Sequence, residues 1–458
     1  MNTIDDLAAL FTRGELTPTD LLTATLDRIA RVNPAINAMA HVDEAGARAA
    51  AEAATRRWAD GRPLGALDGV PVTVKDSVHT VGMPWRHGTA ANAALPASTW
   101  DAPPAARLKE VGAVIVGKTT MPDFGMLAAG VSSLYGITRN PWDLTRNPGG
   151  SSAGAGASLA AGVGFGAVGS DIAGSVRLPA AQCGLVALKP TQGRVPHLAP
   201  STMRSAGPMA RTVDDVIALY RVLTRPDQRD IWSLPPENDD RLDEPLDPRG
   251  LRIGLLTDLG AGPEPVDEVL AVVRAAASAL ASAGAVVKDV PAPFEHDPHP
   301  ALDRLFQVRA RTEWESLPEE ARDLVLPVVA DWAAGAAQIT ATRFARDTEA
   351  VMAAQARLAA AIDDLDFVLS PVLPVVGFPA DAPGADPAHP LGHTGFTAWF
   401  NQTGQPATSV CFGLADGMPV GVQIAGRRFA DQDVLRLTKW IETHRPVSLH
   451  WPFEEEVR

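Results

Sequence analysis

The chain has 458 residues, which a length prior divides into two or three domains, although large α/β enzymes also fold as one continuous unit. Asp and Glu number 54 against 40 Lys and Arg, a formal net charge of -14 with no basic run, which argues against a nucleic-acid or anionic-membrane surface. The two cysteines, Cys183 and Cys411, lie far apart in apolar sequence, so a disulfide framework is excluded and buried thiols in a reducing cytoplasm are expected.

The opening stretch "MNTIDDLAALFTRGELTP" has acids where an export signal needs bases and no apolar core of sufficient length, so a cytoplasmic protein is expected. Apolar residues then recur at three and four in "LLTATLDRIARVNPAINA", and Thr17 to Asp20 supplies N-cap chemistry, which predicts a helix over 19–32. A second helix is predicted over 44–59. In "GVPVTVKD", Val70, Val72 and Val74 alternate with Pro71, Thr73 and Lys75, the period of a strand whose second face, carrying Lys75, meets something polar. "GAVIVGKT" and "CGLVALKP" read as short buried strands on either side of a glycine-rich stretch. The Pro- and Asp-rich segment 226–250 reads as an exposed excursion joining two halves. "LRIGLL" restarts a strand, 264–283 and most of 301–364 are helical, and "DFVLSPVLPVV" is a last buried strand. The segment "PADAPGADPAHPLGHTG" reads as a flexible loop. Strands and helices alternate, the pattern of an α/β protein, and no internal repeat is present.

Several local patterns mislead. Gly112–Thr119 matches G-x-x-x-x-G-K-[ST] letter for letter, yet a phosphate loop needs exposed backbone N–H groups after a strand, and here Ala113 to Val116 are the strand. Gly164–Gly169 fits G-x-G-x-x-G but lacks the preceding strand and following helix of a dinucleotide site, so its small residues serve close packing. Residues 147–170 carry no charge and are long enough to span a bilayer, but four large apolar side chains (Leu159, Val163, Phe165 and Val168) cannot carry insertion at about 0.3–0.6 kcal/mol each. Gly150–Gly154 fits G-x-S-x-G with Ser152 as nucleophile, but no apolar strand leads into it. The histidines a triad would need, His296, His299, His389 and His393, sit in Pro- and Asp-rich loops. "HDPH" has no convincing further ligands, so no metal and no cofactor are expected.

What remains is one lysine and several serines in polar, glycine-rich turns: "GVPVTVKD", "GGSSAG" and "GSDIAGSVRLP". A serine hydroxyl needs an adjacent base, and lysine can serve if its pKa falls from about 10.4 to about 7–8, which the valines flanking Lys75 favour by burial. Together with "GAVIVGKTTMPDFGM", "TRNPWD", "GSDIAGSVRLPAAQCGLVALKPT", "FNQTGQPATSV" and "GMPVGVQIAGRRF", these motifs run in order from residue 68 to 429, and the chain resembles the amidase signature family over nearly its whole length.

That resemblance implies an α/β fold with a large mixed central sheet covered by helices on both faces. It implies one amidase domain over 1–458, with a catalytic part at about 60–225 and a helical substrate-pocket region at about 300–365. It also implies a Ser-Ser-Lys triad: Ser175 as nucleophile, Ser151, on a cis peptide bond, as proton bridge, and Lys75 as base. Chemistry agrees with these roles, since the Ser151 hydroxyl can accept from Ser175 and donate to a neutral lysine. Backbone N–H groups of Ile172, Ala173, Gly174 and Ser175 would form an oxyanion hole, and Ser170, Asp171 and Arg177 would fix the nucleophile loop. Ala173 and Ala153 stand where the family usually has glycine, which requires a negative φ at both.

The implied activity is hydrolysis of an amide carbon–nitrogen bond through an acyl-enzyme, with aryl amides, carbamates and esters open to the same chemistry. The alternative within the family is the glutaminase subunit of a tRNA-dependent amidotransferase; a non-catalytic ligand-binding relative is the remote one. A small-molecule amide or carbamate is the expected partner of a monomer or homodimer, with no direct nucleic-acid or membrane contact. Specificity is expected in the least motif-like segments: Gly125, Met126, Leu127 and Ala128 with the residues just after them, the loop following Val195, and the helices from Ala301 to Thr348. Trp314, Trp332 and Trp399 offer apolar walls, with buried core as their default place.

Overall fold

Short apolar runs become strands and the amphipathic stretches pack around them in the computed structural model, which describes residues 3–198, 201–238 and 240–453. The strands are β1 (Met39–Val42), β2 (Pro71–Lys75), β3 (Val114–Thr119), β4 (Val131–Ser132), β5 (Gly136–Ile137), β6 (Gly166–Asp171), β7 (Val186–Lys189), β8 (Ser205–Ala210), β9 (Arg252–Leu255), β10 (Val286–Asp289), β11 (Phe367–Pro371), β12 (Ala407–Ala415) and β13 (Met418–Gly426). β4 and β5 pair with each other; the rest form one 11-stranded sheet in the order β1-β3-β2-β6-β8-β7-β12-β13-β11-β9-β10. The sheet is mixed, as expected: β2 runs parallel to β3 and β6, whereas β8, β7, β12 and β13 pair antiparallel in sequence across its middle.

Helices cover both faces, and β11 shows why. Its Phe367 and Leu369 enter a core with the helices Val213–Leu223, Asp267–Ser282 and Asp431–Thr443, while Val368 between them enters another with His299–Glu315, Ala341–Ala361 and Gly395–Gln402. The helix predicted over 19–32 spans Pro18–Ile36, opened by a capping box in which Thr17 accepts from Asp20 N and the Asp20 side chain accepts from Thr17 N. That predicted over 44–59 is Glu44–Ala59. The helical region after Ala301 resolves into His299–Glu315, Pro327–Gly335 and Ala341–Ala361. Among the described residues no helix is long and apolar enough to cross a membrane; the uncharged stretch folds as the helix Ala153–Ala160 followed by β6.

Periodicity does not reveal β6, nor β12 and β13, which follow the strand β11 that reads as the last. The glycines of β6 are close-packing positions, because a Cβ at Gly166 would lie 2.6 Å from Leu219 Cδ1 and one at Gly169 would lie 2.5 Å from Ser152 Oγ. The segment 379–395, which reads as a flexible loop, is anchored instead: Asn147 Nδ2 donates to Ala380 O at 3.0 Å, and His393 is buried with Nε2 3.3 Å from Ala128 O.

β2 and β6 are parallel neighbours, Val74 opposite Val168, so their carboxyl ends leave the sheet at one edge. In open α/β sheets ligands gather at such an edge.

Candidate active site

Lys75 closes β2 and Asp171 closes β6, and the turn after Asp171 carries Ser175 into the helix Arg177–Cys183. The third segment, Asn147–Ser152, crosses beside them. Asn147 Oδ1 accepts from Gly130 N and Gly149 N, both at 3.0 Å, and the Gly150–Ser151 peptide is cis. A Cβ on Gly150 would lie 2.5 Å from the Ala129 backbone, so only glycine allows this approach. Lys75, fully buried, donates through Nζ to Ser151 Oγ at 2.7 Å and to Ser170 Oγ at 3.2 Å. Burial, helped by the charge of Arg204, holds its pKa well below the usual lysine value against the opposing pull of Asp171 and Asp76.

Ser151, Ser170 and Ser175 line one narrow recess together with His87, Phe124, Gly125, Ile172 and Arg204. Ser175 also lines an adjoining apolar recess with Gly125, Met126, Leu127, Ala128, Phe306 and Leu391. The structure therefore brings the residues of the implied triad and the four residues after Phe124 to the same place. The second link of the implied proton bridge is open: Ser151 touches Lys75, but no hydrogen bond joins Ser151 to Ser175. Hydrogen bonds of this kind commonly tighten only around bound substrate.

The nucleophile loop is held by a buried polar lattice. Asp171 receives Arg177 through Nη2 at 2.9 Å and Nε at 3.0 Å. Asn401 Nδ2 donates to Asp171 Oδ1 and to Asp171 O, and Asn401 Oδ1 accepts from Arg177 Nη2 at 2.6 Å. Arg177 Nη1 donates to Gln423 Oε1 at 2.6 Å, and Gln423 Nε2 in turn donates to Ser370 Oγ and Phe396 O. Burial pushes the Asp171 carboxyl up, but the Arg177 charge and the hydrogen bonds of Arg177 and Asn401 win, and it sits at about 2. Asn401 and Gln423 have no local signature; they lie inside two motifs of the resemblance, and nothing about those motifs alone says what the two residues touch.

One proposed oxyanion donor needs correction. The N–H groups of Ile172, Ala173 and Ser175 have no protein acceptor among the described residues, but Gly174 N donates to Asp171 Oδ1 at 2.8 Å, because Arg177 draws that carboxylate under the turn. Gly174 is needed for shape instead: its φ is 117°, and a Cβ there would lie 2.3 Å from Thr397 Oγ1. Neither Ala173 nor Ala153 has a positive φ, so the two alanines fit without strain.

The misleading patterns resolve as their local chemistry suggests. Ser152 is buried with Oγ 3.4 Å from Ser170 O, and Lys118 of the phosphate-loop look-alike lies within β3 and donates to Val78 O. His299 pairs with Asp297 at 2.7 Å and accepts from Trp399 Nε1. No group of His, Cys, Asp and Glu among the described residues is arranged to hold a metal. Cys183 and Cys411 are free and buried. Of the expected specificity walls, Phe306 reaches the pocket, whereas Trp399 is fully buried core, and residues 199–200 of the loop following Val195 lie outside the described residues. Sequence reasoning passed over His87 and Arg204, which share the recess with the serines.

A family model described as Amidase matches residues 20–435. The chain belongs to the amidase family. It is 36% identical, over 96% of both chains, to a Salinispora arenicola protein whose name makes it one component of glutamyl-tRNA(Gln) amidotransferase. Among solved structures in the amidase family, a bacterial aryl acylamidase matches with a TM-score of 0.89 at 27% identity, covering 97% of this chain and 99% of that one. A 6-aminohexanoate cyclic dimer hydrolase complexed with substrate also matches with a TM-score of 0.89, at 29% identity over 99% and 98%.

Proposed function

We propose that this amidase-family chain hydrolyses a small-molecule amide through Ser175, Ser151 and Lys75, and that the observation carrying this reading is a fully buried Lys75 Nζ at 2.7 Å from Ser151 Oγ in the recess that Ser175 lines. Neutral Lys75 takes the Ser151 proton as Ser151 takes that of Ser175. Ser175 Oγ attacks the carbonyl carbon, and the oxygen of the tetrahedral intermediate lies on the N–H groups of Ile172, Ala173 and Ser175, each such donor contributing about 3 kcal/mol. Lys75 returns the proton through Ser151 to the nitrogen, the C–N bond breaks and the amine departs. Water then repeats the sequence on the acyl-enzyme, releasing the acid and restoring Ser175. Esters and carbamates pass through the same kind of intermediate.

The continuous sheet from β1 to β13 supports reading 1–458 as a single amidase domain, with 226–250 as an excursion on it, mostly exposed but pinned by the buried Leu242. Free buried cysteines and an acidic surface support a cytoplasmic enzyme, monomeric or dimeric, with neither nucleic acid nor membrane as a direct partner.

A second reading, the glutaminase component of an amidotransferase, is favoured by the name of the Salinispora arenicola relative. A fluorophosphonate should add one adduct to Ser175 of the wild type and none to Ser175→Ala, detected by peptide mass spectrometry. Absence of that adduct in folded protein rejects the triad. Turnover of anilides, primary amides, carbamates and glutamine by the isolated chain then separates the two readings: preference for glutamine supports the second.

A further inference from the structure

Resting on that catalytic reading, we propose that Arg204 is an anion-binding specificity residue and that the natural substrate carries a carboxylate a few bonds from its scissile carbonyl, opposite an apolar arm. Ser175 stands where two recesses of different character meet. One is walled by Met126, Leu127, Ala128, Phe306 and Leu391. The other sets the polar side chains of His87, Ser151, Ser170 and Arg204 beside Met121, Phe124 and Ile172.

Arg204 lies at the entry to β8, only partly accessible, and its guanidinium makes no hydrogen bond or ion pair among the described residues. The neighbouring charges are already used. Asp171 is engaged by Arg177 and Asn401, and Glu313, whose charge reaches Arg204, pairs with Arg309 at 3.7 Å. Burial and the charge of Arg309 bring Arg204 down to about 9, so the guanidinium sits in an environment that favours an incoming negative charge.

A second polar side chain lines the same recess: His87, only 5% exposed, whose buried Nδ1 has no protein partner. Its φ of 52° and its stacking on Trp85 at 5.0 Å fix the ring against the recess. Buried polar groups are ordinarily hydrogen-bonded, and a guanidinium without a protein partner in the recess that Ser175 lines is free to take its partner from a ligand. A planar guanidinium holds a carboxylate with two parallel hydrogen bonds.

The test uses matched ligands, succinanilic acid and the neutral butyranilide. Binding to Ser175→Ala is measured by calorimetry, and kcat/KM is measured in the Ser175 enzyme. Wild-type kcat/KM and Ser175→Ala affinity should both favour the acid by about 10- to 100-fold. Arg204→Gln should bring both preferences close to one, and Arg204→Lys should keep part of them. Because each preference is a ratio taken on one variant, a general loss of folding or activity cancels.

If Arg204 acts only by depressing Lys75, both substrates fall together and the ratio stays, which overturns the proposal. Equal binding of acid and neutral ligand by Ser175→Ala overturns it as well. Failure of the fluorophosphonate to label Ser175, with the binding preference intact, counts against the catalytic reading and leaves the anion site supported.

Discussion

The structure on the two sides of Ser175 treats buried charge in opposite ways. Beneath the nucleophile, Asp171, Arg177, Asn401 and Gln423 satisfy one another completely and lie out of water. Across from it, Arg204 and His87 line the recess of Ser175, and neither the Arg204 guanidinium nor the buried Nδ1 of His87 has a protein partner among the described residues. A buried ion pair does little for stability compared with apolar packing, but breaking it is costly, so the paired wall fixes the turn that carries Ser175. Groups left unpaired next to a reacting serine are held in readiness for something outside the chain. The difference separates residues that position from residues that bind.

The deepest break in that contrast is removal of the group between the walls. Ser175→Ala should lower kcat by about 10⁵- to 10⁶-fold in a steady-state assay on the best substrate, while leaving thermal unfolding nearly unchanged. Lys75→Met comes next, with a loss of about 10²- to 10⁴-fold as expected for a general base. Since the base must be neutral and burial holds Lys75 well below its ordinary pKa, wild-type kcat/KM should rise with pH along an acid limb and level off above it. The variant should lose that limb, and a limb that persists would assign it to another group.

On the paired wall, Asp171→Asn leaves Arg177 buried without a counter-charge, and urea unfolding should show a loss of about 3–5 kcal/mol. A carboxyl held at about 2, below its unfolded value of 3.8, contributes stability above about pH 4 that disappears as the pH falls through 2. The wild-type advantage over the variant should shrink across that interval. The smallest effect belongs to Ser152→Ala, with less than a tenfold change in kcat/KM, because Ser152 Oγ has only a 3.4 Å contact to Ser170 O. A loss as large as that of Ser175→Ala would restore Ser152 as nucleophile.

Period and composition make β2, β3, β7, β9 and β11 readable, since each is a short apolar run with valine, isoleucine, leucine or phenylalanine on its inner face. They do not make β6 readable. Gly166 and Gly169 carry no side chain to alternate, and they are glycine because Leu219 and Ser152 occupy the space a Cβ would need. The serines and lysine are legible because the hydroxyl–amine chemistry has few residue types to draw on and each sits at a glycine-rich turn.

Asn401, Gln423 and Arg204 are not legible that way: their meaning depends on partners brought together by the sheet order rather than by spacing. The hydrogen bond that takes Gly174 out of the oxyanion donors is of the same kind, as it depends on where Arg177 holds the Asp171 carboxylate.

The lattice under Ser175 ties Asp171 to a residue 230 positions further along the chain and Arg177 to one 246 positions further. During synthesis Lys75, Ser151 and Ser175 all leave the ribosome long before Asn401 and Gln423 exist. Until the β12–β13 hairpin is made, Asp171 and Arg177 have no complete set of partners, and the loop is held only by the bonds of Asp171 to Gly174 N, Val176 N and Arg177. A chain cut short before residue 401 would therefore carry Lys75, Ser151 and Ser175 but lack the buried lattice that fixes the turn between Asp171 and Arg177.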